Sequence, residues 1–417
     1  MGEKKNALVV AGGPWQVPII RFLQKKNYCV FVADPYSASP GVLVADGHIR
    51  ADVRDVQSIM KLMVGRKFEL VTGDQSDIAV ETVAILASHL NLRGNKVDAV
   101  KKFTNKFLSR QFAREQKIPV PEFYQTFNTE EVRKAIAENG LPVIIKPVDS
   151  QSSRGVLKVD QGNVGKLEEL VSLTFKETRE NYILTEEFFE GVELTMEGIC
   201  SNGKHKTLAI SSKKHFRMGI ASDLQYPAEL PEQVEAELVR CNDKYVDNSG
   251  LDFGITHAEY LYHAGTNKIG LVEIACRGGG SLISSDIVKW VSGVDLYEIL
   301  FNDLRGIPTD VRSIPALKRN ALLHFFEYPD GIVKEIKGVE VVSSMPGVRM
   351  IRLDFKDGEL IKAASDDRSR QGLVIIYANS KIELEKKIDA VYNALKVKIN
   401  NRKLSAPELL NDLKLSL

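Results

Sequence analysis

Two neighbouring segments, GITHAEYLYH (254–263) and KIGLVEIACR (268–277), decide how this chain reads, and only AGTN separates them. β-Branched and aromatic residues alternate with polar ones in both, and so short a connection joins them as an antiparallel hairpin. Pairing about a centre near Gly265–Thr266 sets Glu259 opposite Glu273. Two carboxylates facing each other on one sheet face repel unless a cation bridges them. Mg2+ suits such a pair, because it takes one or two carboxylates and completes its shell with phosphate oxygens and water. Arg277 lies four residues past Glu273 and His257 two before Glu259, so regular strands turn both to the same face. The arginine's fork of donors can hold phosphate or a developing negative charge. The competing reading is a half-solvated sheet face.

Cys276 has the opposite parity and small or apolar neighbours, which reads as a buried, inert thiol. His257 and His263 lie six apart with no cysteine pair nearby, so zinc is not indicated. The glycines at 278–280 end the strand sharply beside the polar face.

The whole chain sets the frame for this hairpin. Its 417 residues exceed one ordinary domain, so two or three cores are expected. With 44% hydrophobic and 27% charged residues it reads as a soluble globular protein. The 56 Lys and Arg balance 55 Asp and Glu, which gives no sign of a nucleic-acid or membrane partner. Four scattered cysteines fit reduced thiols in the cytoplasm. The start, MGEKKNALVVAGG, has too short an apolar core for a signal peptide, and no later run would span a bilayer.

Residues 1–101 alternate strand and helix patterns (ALVVAGG, PIIRFLQKK, CVFVADP, FELVTGDQSD), which predicts a parallel α/β domain. Ligands of such sheets sit beyond the carboxyl ends of the strands, here near Gly12, Gly13, Asp34 and Asp74. AGGPWQ lacks the dinucleotide spacing GxGxxG, so its glycines read as a tight turn. KKFTNKFLSRQFAREQ reads as one basic helix, and TEEVRKAIAENG as a helix capped by Thr129. Residues 306–417 read as a separate α+β unit.

Two further stretches carry chemistry. In VIIKPVDSQSSRGV, Lys146 ends a buried strand ahead of a turn rich in Ser150, Ser152, Ser153 and Gly155. Small hydroxyl residues and a glycine leave backbone N–H groups free to wrap an anion, although a solvated hairpin with a snorkelling lysine fits equally. In TEEFFEGVE, acids and aromatics alternate at a strand end. Apolar walls, backbone groups and carboxylates can hold an adenine and its ribose, and a solvated acidic turn is the competing reading.

Taken in this order, the motifs resemble the ATP-grasp superfamily, near the carboxylate–amine ligase branch that includes L-amino acid ligases and biotin carboxylase-like enzymes. The resemblance implies a pre-ATP-grasp α/β domain (1–101), an ATP-grasp domain (102–305) with a mobile lid at about 120–188, and a C-terminal α+β domain (306–417) carrying DDRSRQGLVIIYANSKIELEKKI. It assigns Lys106 and Lys146 to phosphate, and the Ser152, Ser153 and Gly155 loop to closure over a triphosphate. Glu186 matches the acceptor of the adenine amino group, and Glu187 and Phe189 the backbone contacts of adenine. Glu193 matches the ribose acid and Lys213, or Lys214 beside it, a further phosphate-side lysine. Glu259 and Glu273 match the metal carboxylates, with Mg2+ or else Mn2+, and Arg277 the residue that steadies the acyl phosphate. His257 orients Glu259 or touches substrate.

Many members carry Asn where this chain has Ala275, which leaves the metal count open, and the biotin-carboxylase glycine loop is missing. The implied activity is ATP-dependent joining of a carboxylate and an amine, with homodimerisation by analogy. A purine-biosynthesis-type enzyme of the same fold and a non-catalytic ATP-binding protein are the alternatives.

Overall fold

A computed structural model describes residues 4–400, Arg368 excepted, together with the backbone of 402–404. Residues 405–417 of the C-terminal stretch lie outside the described residues, as do residues 1–3. The chain divides into two compact units. One comprises the chain to Gln151 with Gly155–Ile210 and Leu230–Ala316, and the other Ser152–Arg154, Ser211–Glu229 and the chain from Leu317.

The first unit opens with a parallel sheet of β1 (Lys5–Val10), β2 (Tyr28–Ala33), β3 (Gly47–Ile49) and β4 (Phe68–Thr72), in the order β3-β2-β1-β4. Ala7 to Val10 are wholly buried, as helices covering both faces of a parallel sheet require. Asp34, just past β2, accepts the Gly12 N–H at 2.9 Å, the Tyr36 N–H at 2.9 Å and the Ser39 hydroxyl at 2.8 Å. A Cβ on Gly12 would lie 2.8 Å from Val32 Cγ1. Both residues therefore close the strand-to-helix turn. Past β4, the chain enters a helix, Asp77–His89, whose first residue is acidic.

The basic segment is two helices, not one: Val97–Thr104 and Lys106–Glu115. Asn105 breaks the run because its side chain accepts the N–H groups of Phe107 and Leu108, the bonds of an N-cap. Helix Thr129–Asn139 begins one residue earlier than expected, with Asn128 rather than Thr129 as its cap. It covers an antiparallel sheet of β5 (Phe123–Thr126), β6 (Val143–Lys146), β7 (Leu157–Val159) and β8 (Ile183–Glu187), ordered β5-β8-β6-β7. Val132, Val143, Ile145, Val159, Val171 and Ile183 form its core.

The antiparallel layer that carries the acidic hairpin follows. Its strands are β9 (Val192–Ser201), β10 (Lys204–Arg217), which runs on into the second unit, and, after β11 (Ile220–Tyr226), β12 (Gly254–His263) and β13 (Lys268–Ala275). β12 pairs with β9 on one side and β13 on the other. Helix Glu232–Ser249 buries Leu238, Cys241, Tyr245 and Val246.

In the second unit, the end of β10 pairs with β11, followed by β14 (Asn320–Phe325). The remaining strands are β15 (Gly331–Lys337), β16 (Val348–Leu353), β17 (Leu360–Ile361), β18 (Gly372–Ala378), β19 (Lys396–Ile399) and β20 (Arg402–Leu404). β14 pairs with β18, which pairs with β16, while β17, β15, β19 and β20 form a separate sheet. Helix Lys381–Ala394 closes a core that includes Val333, Val374, Ile376 and Val391. Buried His324 links Asp223 and Tyr392, each at 2.6 Å, which accounts for a polar group in that core.

Candidate active site

Glu259 and Glu273 stand directly opposite each other across β12 and β13. Beyond them the register slips: Tyr260 pairs with Leu271, leaving Val272 as an extra residue, a β-bulge. A regular continuation would carry Leu271 to the face of Glu273; the bulge instead sets it with Tyr260, and both are wholly buried. His257 pairs with Glu197 of β9 and Glu259 with Thr195, so Glu197 and Thr195 join the same face. His257 Nδ1 lies 2.8 Å from Glu197 Oε1, and its Nε2 3.6 Å from Glu259 Oε1. Burial works against the imidazolium, but Glu197 and then Glu259 outweigh it and raise its pKa to about 9. The two acids thus favour the protonated imidazole.

Lys106 opens its helix beside this face because Asn105 caps it, and its N–H donates to Val148 O at 2.8 Å. Its ammonium lies 3.3 Å from Glu273 and donates to Ser150 O at 2.7 Å. Lys146, at the end of β6, is buried and ion-paired to Glu186 of β8. Glu186 also receives Arg110 Nε at 2.5 Å. Burial would raise the Glu186 carboxyl, but Arg110 and Lys146 hold it below the usual range. For Lys146 burial wins, and its pKa falls to about 8. A small cavity is lined by Asp77, Lys106, Arg110, Ser150 and Glu273, and within it Arg110 Nη1 and Ser150 Oγ are buried with no hydrogen-bond partner.

Arg277 is gripped in two places by Asp77, Nε to Oδ1 at 2.9 Å and Nη2 to Oδ2 at 2.8 Å, while Nη1 donates to Gly278 O at 3.0 Å. Burial alone would raise the Asp77 carboxyl; Arg277, and then Lys106 and His257, hold it down. Asp74 pins the glycine turn: it accepts the Gly278 N–H at 2.9 Å, the Ser284 hydroxyl at 2.7 Å and the Tyr297 hydroxyl at 2.8 Å. A Cβ on Gly278 would meet Ser284 Cβ at 2.3 Å and Asp74 Oδ1 at 2.6 Å, so this position needs glycine. Cys276 is half-buried rather than fully buried as expected; it lines a cavity with Val80, Val83 and Phe253 as well as Asp74 and Arg277, and burial pushes its thiol up.

The other sequence-derived residues are distributed more widely. Glu187 is exposed, and its N–H is already given to Glu122 O at 2.8 Å. Phe189 lies over β13, where a Cβ on Gly270 would touch its ring at 3.4 Å. Glu193 is half-buried on β9 opposite Leu261. Gly155 has φ +70° and sits against Pro147 and Glu177. Ser152 and Ser153, both left-handed (φ 60° and 57°), belong to the second unit, as does Lys213, which pairs with Leu224. The first unit thus gathers Lys106, Lys146, Glu186, His257, Glu259, Glu273 and Arg277. Sequence reasoning missed Asp77, Arg110 and Glu197. Glu197 had a signal, since MEGIC carries an acid inside an apolar strand; Asp77 and Arg110 look like ordinary helix-surface residues.

Among the described residues no group of three or more His, Cys, Asp or Glu side chains could hold a metal ion. The donor set is two carboxylates, which fits Mg2+ bound mainly by phosphate and water and does not fit an all-protein cage. The unpartnered buried donors beside them, Arg110 Nη1 and Ser150 Oγ, suit an anionic or aqueous neighbour.

Residues 139–286 match the ATP-grasp domain family and residues 324–400 match L-amino acid ligase C-terminal domain 2. The formate-dependent phosphoribosylglycinamide formyltransferase of Sulfolobus acidocaldarius is 26% identical over 404 residues, which is 92% of this chain and 95% of that one. The L-arginine-specific L-amino acid ligase of Bacillus subtilis is 23% identical over 75% of this chain and 77% of its own. The crystal structure of an L-amino acid ligase from Bacillus licheniformis superposes with a TM-score of 0.80 at 20% identity, over 96% of this chain and 100% of that one. The domain matches and these relatives therefore define an ATP-grasp enzyme, an ADP-forming ligase that uses ATP with Mg2+. The chain thus carries an ATP-grasp domain followed by an L-amino acid ligase C-terminal domain 2.

Proposed function

We propose that Lys106, Lys146, Glu259, Glu273 and Arg277 form the working site of this ligase, and that it joins a small carboxylate to an amine through an acyl phosphate. The observation that carries the reading is the face-to-face pair Glu259 and Glu273, with Lys106 at 3.3 Å on one side and the Arg277–Asp77 pair beside it. Mg2+ held by these carboxylates would supply charge neutralisation on phosphate oxygens.

Lys106 and Lys146 bring positive charge to the triphosphate. Glu186, Glu187, Phe189 and Glu193 bind the nucleoside end. A substrate carboxylate oxygen attacks the γ-phosphorus in line, the bond to the β-phosphate oxygen breaks, and ADP leaves. An amine nitrogen then attacks the acyl carbon, loses a proton, and displaces inorganic phosphate as the C–N bond forms. Of the five N–H donors of Arg277, three are engaged by Asp77 and Gly278, so two remain for the developing oxyanion. His257 holds Glu259 in place from its seat on Glu197. Exclusion of water from the site protects the acyl phosphate.

A second reading takes formate as the carboxylate and a phosphoribosyl amine as the nucleophile. The likeness to the formyltransferase over 92% of this chain favours it, whereas the match of residues 324–400 favours amino acids. ADP and phosphate release measured with pairs of L-amino acids, and with formate plus ribosyl amines, separates the two. Binding of MgATP with no ADP release from any pair would overturn the ligation mechanism.

Four free cysteines and balanced charge support a cytoplasmic enzyme acting on small molecules without nucleic acid. Among the described residues no helix is long and apolar enough to cross a membrane. Homodimerisation rests on the family resemblance alone.

A further inference from the structure

We propose that Arg110 is a positioning residue of this site, one buried guanidinium that fixes both the carboxylate partner of Lys146 and the bulge that turns Glu273 toward Glu259. The inference rests on the ligase reading above.

Arg110 sits one helical turn after Lys106 and is wholly buried, among the largest side chains in the chain to be so. Its Nε donates to Glu186 Oε1 and its Nη2 to Val272 O, each at 2.5 Å. Val272 is the unpaired residue of the bulge, so its carbonyl lacks a regular cross-strand partner. A half-buried carbonyl without a strand partner is costly, and Arg110 satisfies it. The same side chain thereby holds the strand in the register that places Glu273 opposite Glu259.

The charges point the same way. Glu186 carries two cationic neighbours, Lys146 and Arg110. When Lys146 turns to an anionic ligand, Arg110 still compensates the buried carboxylate, which would otherwise be stranded. An arginine that served only as a core ion pair would need no contact with the bulge and no place in the cavity with Lys106 and Glu273.

The test uses the full chain with Arg110→Met and Arg110→Lys, each checked for folding by circular dichroism and melting. ATP binding is measured by calorimetry against Mg2+ concentration and against pH. Neither variant presents a planar two-point fork, so the Mg2+ concentration for half-maximal ATP binding rises about tenfold or more in both. Lys146 is faced by Glu186, which favours its proton, and by Arg110 and Lys106, which oppose it. The alkaline fall in ATP affinity therefore moves to higher pH in Arg110→Met and stays in place in Arg110→Lys, which keeps the charge. A folded Arg110→Lys with an unchanged Mg2+ midpoint overturns the proposal, and this variant decides if Arg110→Met does not fold. Wild type that fails to bind MgATP would instead sink the ligase reading, so the two failures are distinct.

Discussion

Glu259 and Glu273 face each other because one strand of their hairpin carries one residue too many. Counting back from the turn, the inner pairs (263 with 268, 261 with 270, 260 with 271) would bring Val272 opposite Glu259. The bulge at Val272 absorbs the extra residue and delivers Glu273 there instead.

Replacing Glu273 by Gln removes one of the two facing charges while keeping the shape. ADP release should fall by roughly 100-fold or more, and Mg2+ should be required at higher concentration. Turnover with an unaltered Mg2+ dependence would remove Glu273 from the metal site.

Asp77 should behave as part of the arginine. Its two-point grip sets the Arg277 fork, so Asp77→Asn keeps one face of the interaction and loses the charge. Because this pair is largely buried, leaving the guanidinium uncompensated costs roughly 3–5 kcal/mol. A lower melting temperature and a fall in kcat larger than any rise in KM are expected from steady-state kinetics; wild-type kcat would contradict this.

The behaviour of Lys146 with pH follows from its surroundings. Burial lowers its pKa from 10.5 to about 8 despite Glu186. Between these values the unfolded chain binds the additional proton, so this group makes the fold more stable as pH rises from about 8 to 10.5. The charge that attracts phosphate is lost as pH rises through about 8. Calorimetry of ATP binding from pH 7 to 10 should show affinity falling while urea midpoints gain from this residue; affinity constant across that range would exclude Lys146 from the phosphate contacts.

Cys276 makes the opposite prediction. It is half-buried in a cavity whose lining includes Val80, Val83 and Phe253, and burial disfavours its thiolate, so iodoacetamide should modify it slowly in the native protein. Cys276→Ser should retain turnover within a few-fold. Complete loss in a folded variant would restore a chemical role to the thiol.

The elements legible without coordinates were those with strong local periodicity. The parallel β1–β4 sheet and the existence of the hairpin follow from alternation and glycine punctuation, whereas the bulge at Val272 and the half-buried state of Cys276 do not. The helix break at Asn105 was not, because a polar residue inside a basic amphipathic run carries no period of its own. It takes a side chain folding back onto two N–H groups to stop the helix there. Asp34 stands where ligands of such sheets sit, yet three donors from the turn already occupy it.

By itself the sequence determined which residues carry charge and on which side of each regular strand they stand, since parity is a property of the chain. Tertiary structure decided their company. Asp77 meets Arg277 from 200 positions away, Glu186 meets Arg110 from 76, and the bulge carbonyl of Val272 meets the same arginine from 162. Such contacts follow from how separate sheets and helices pack, and local pattern holds no record of them. VEIACRGGGS names the glutamate and the arginine, but buried ion pairs formed across the fold hold them where they can act.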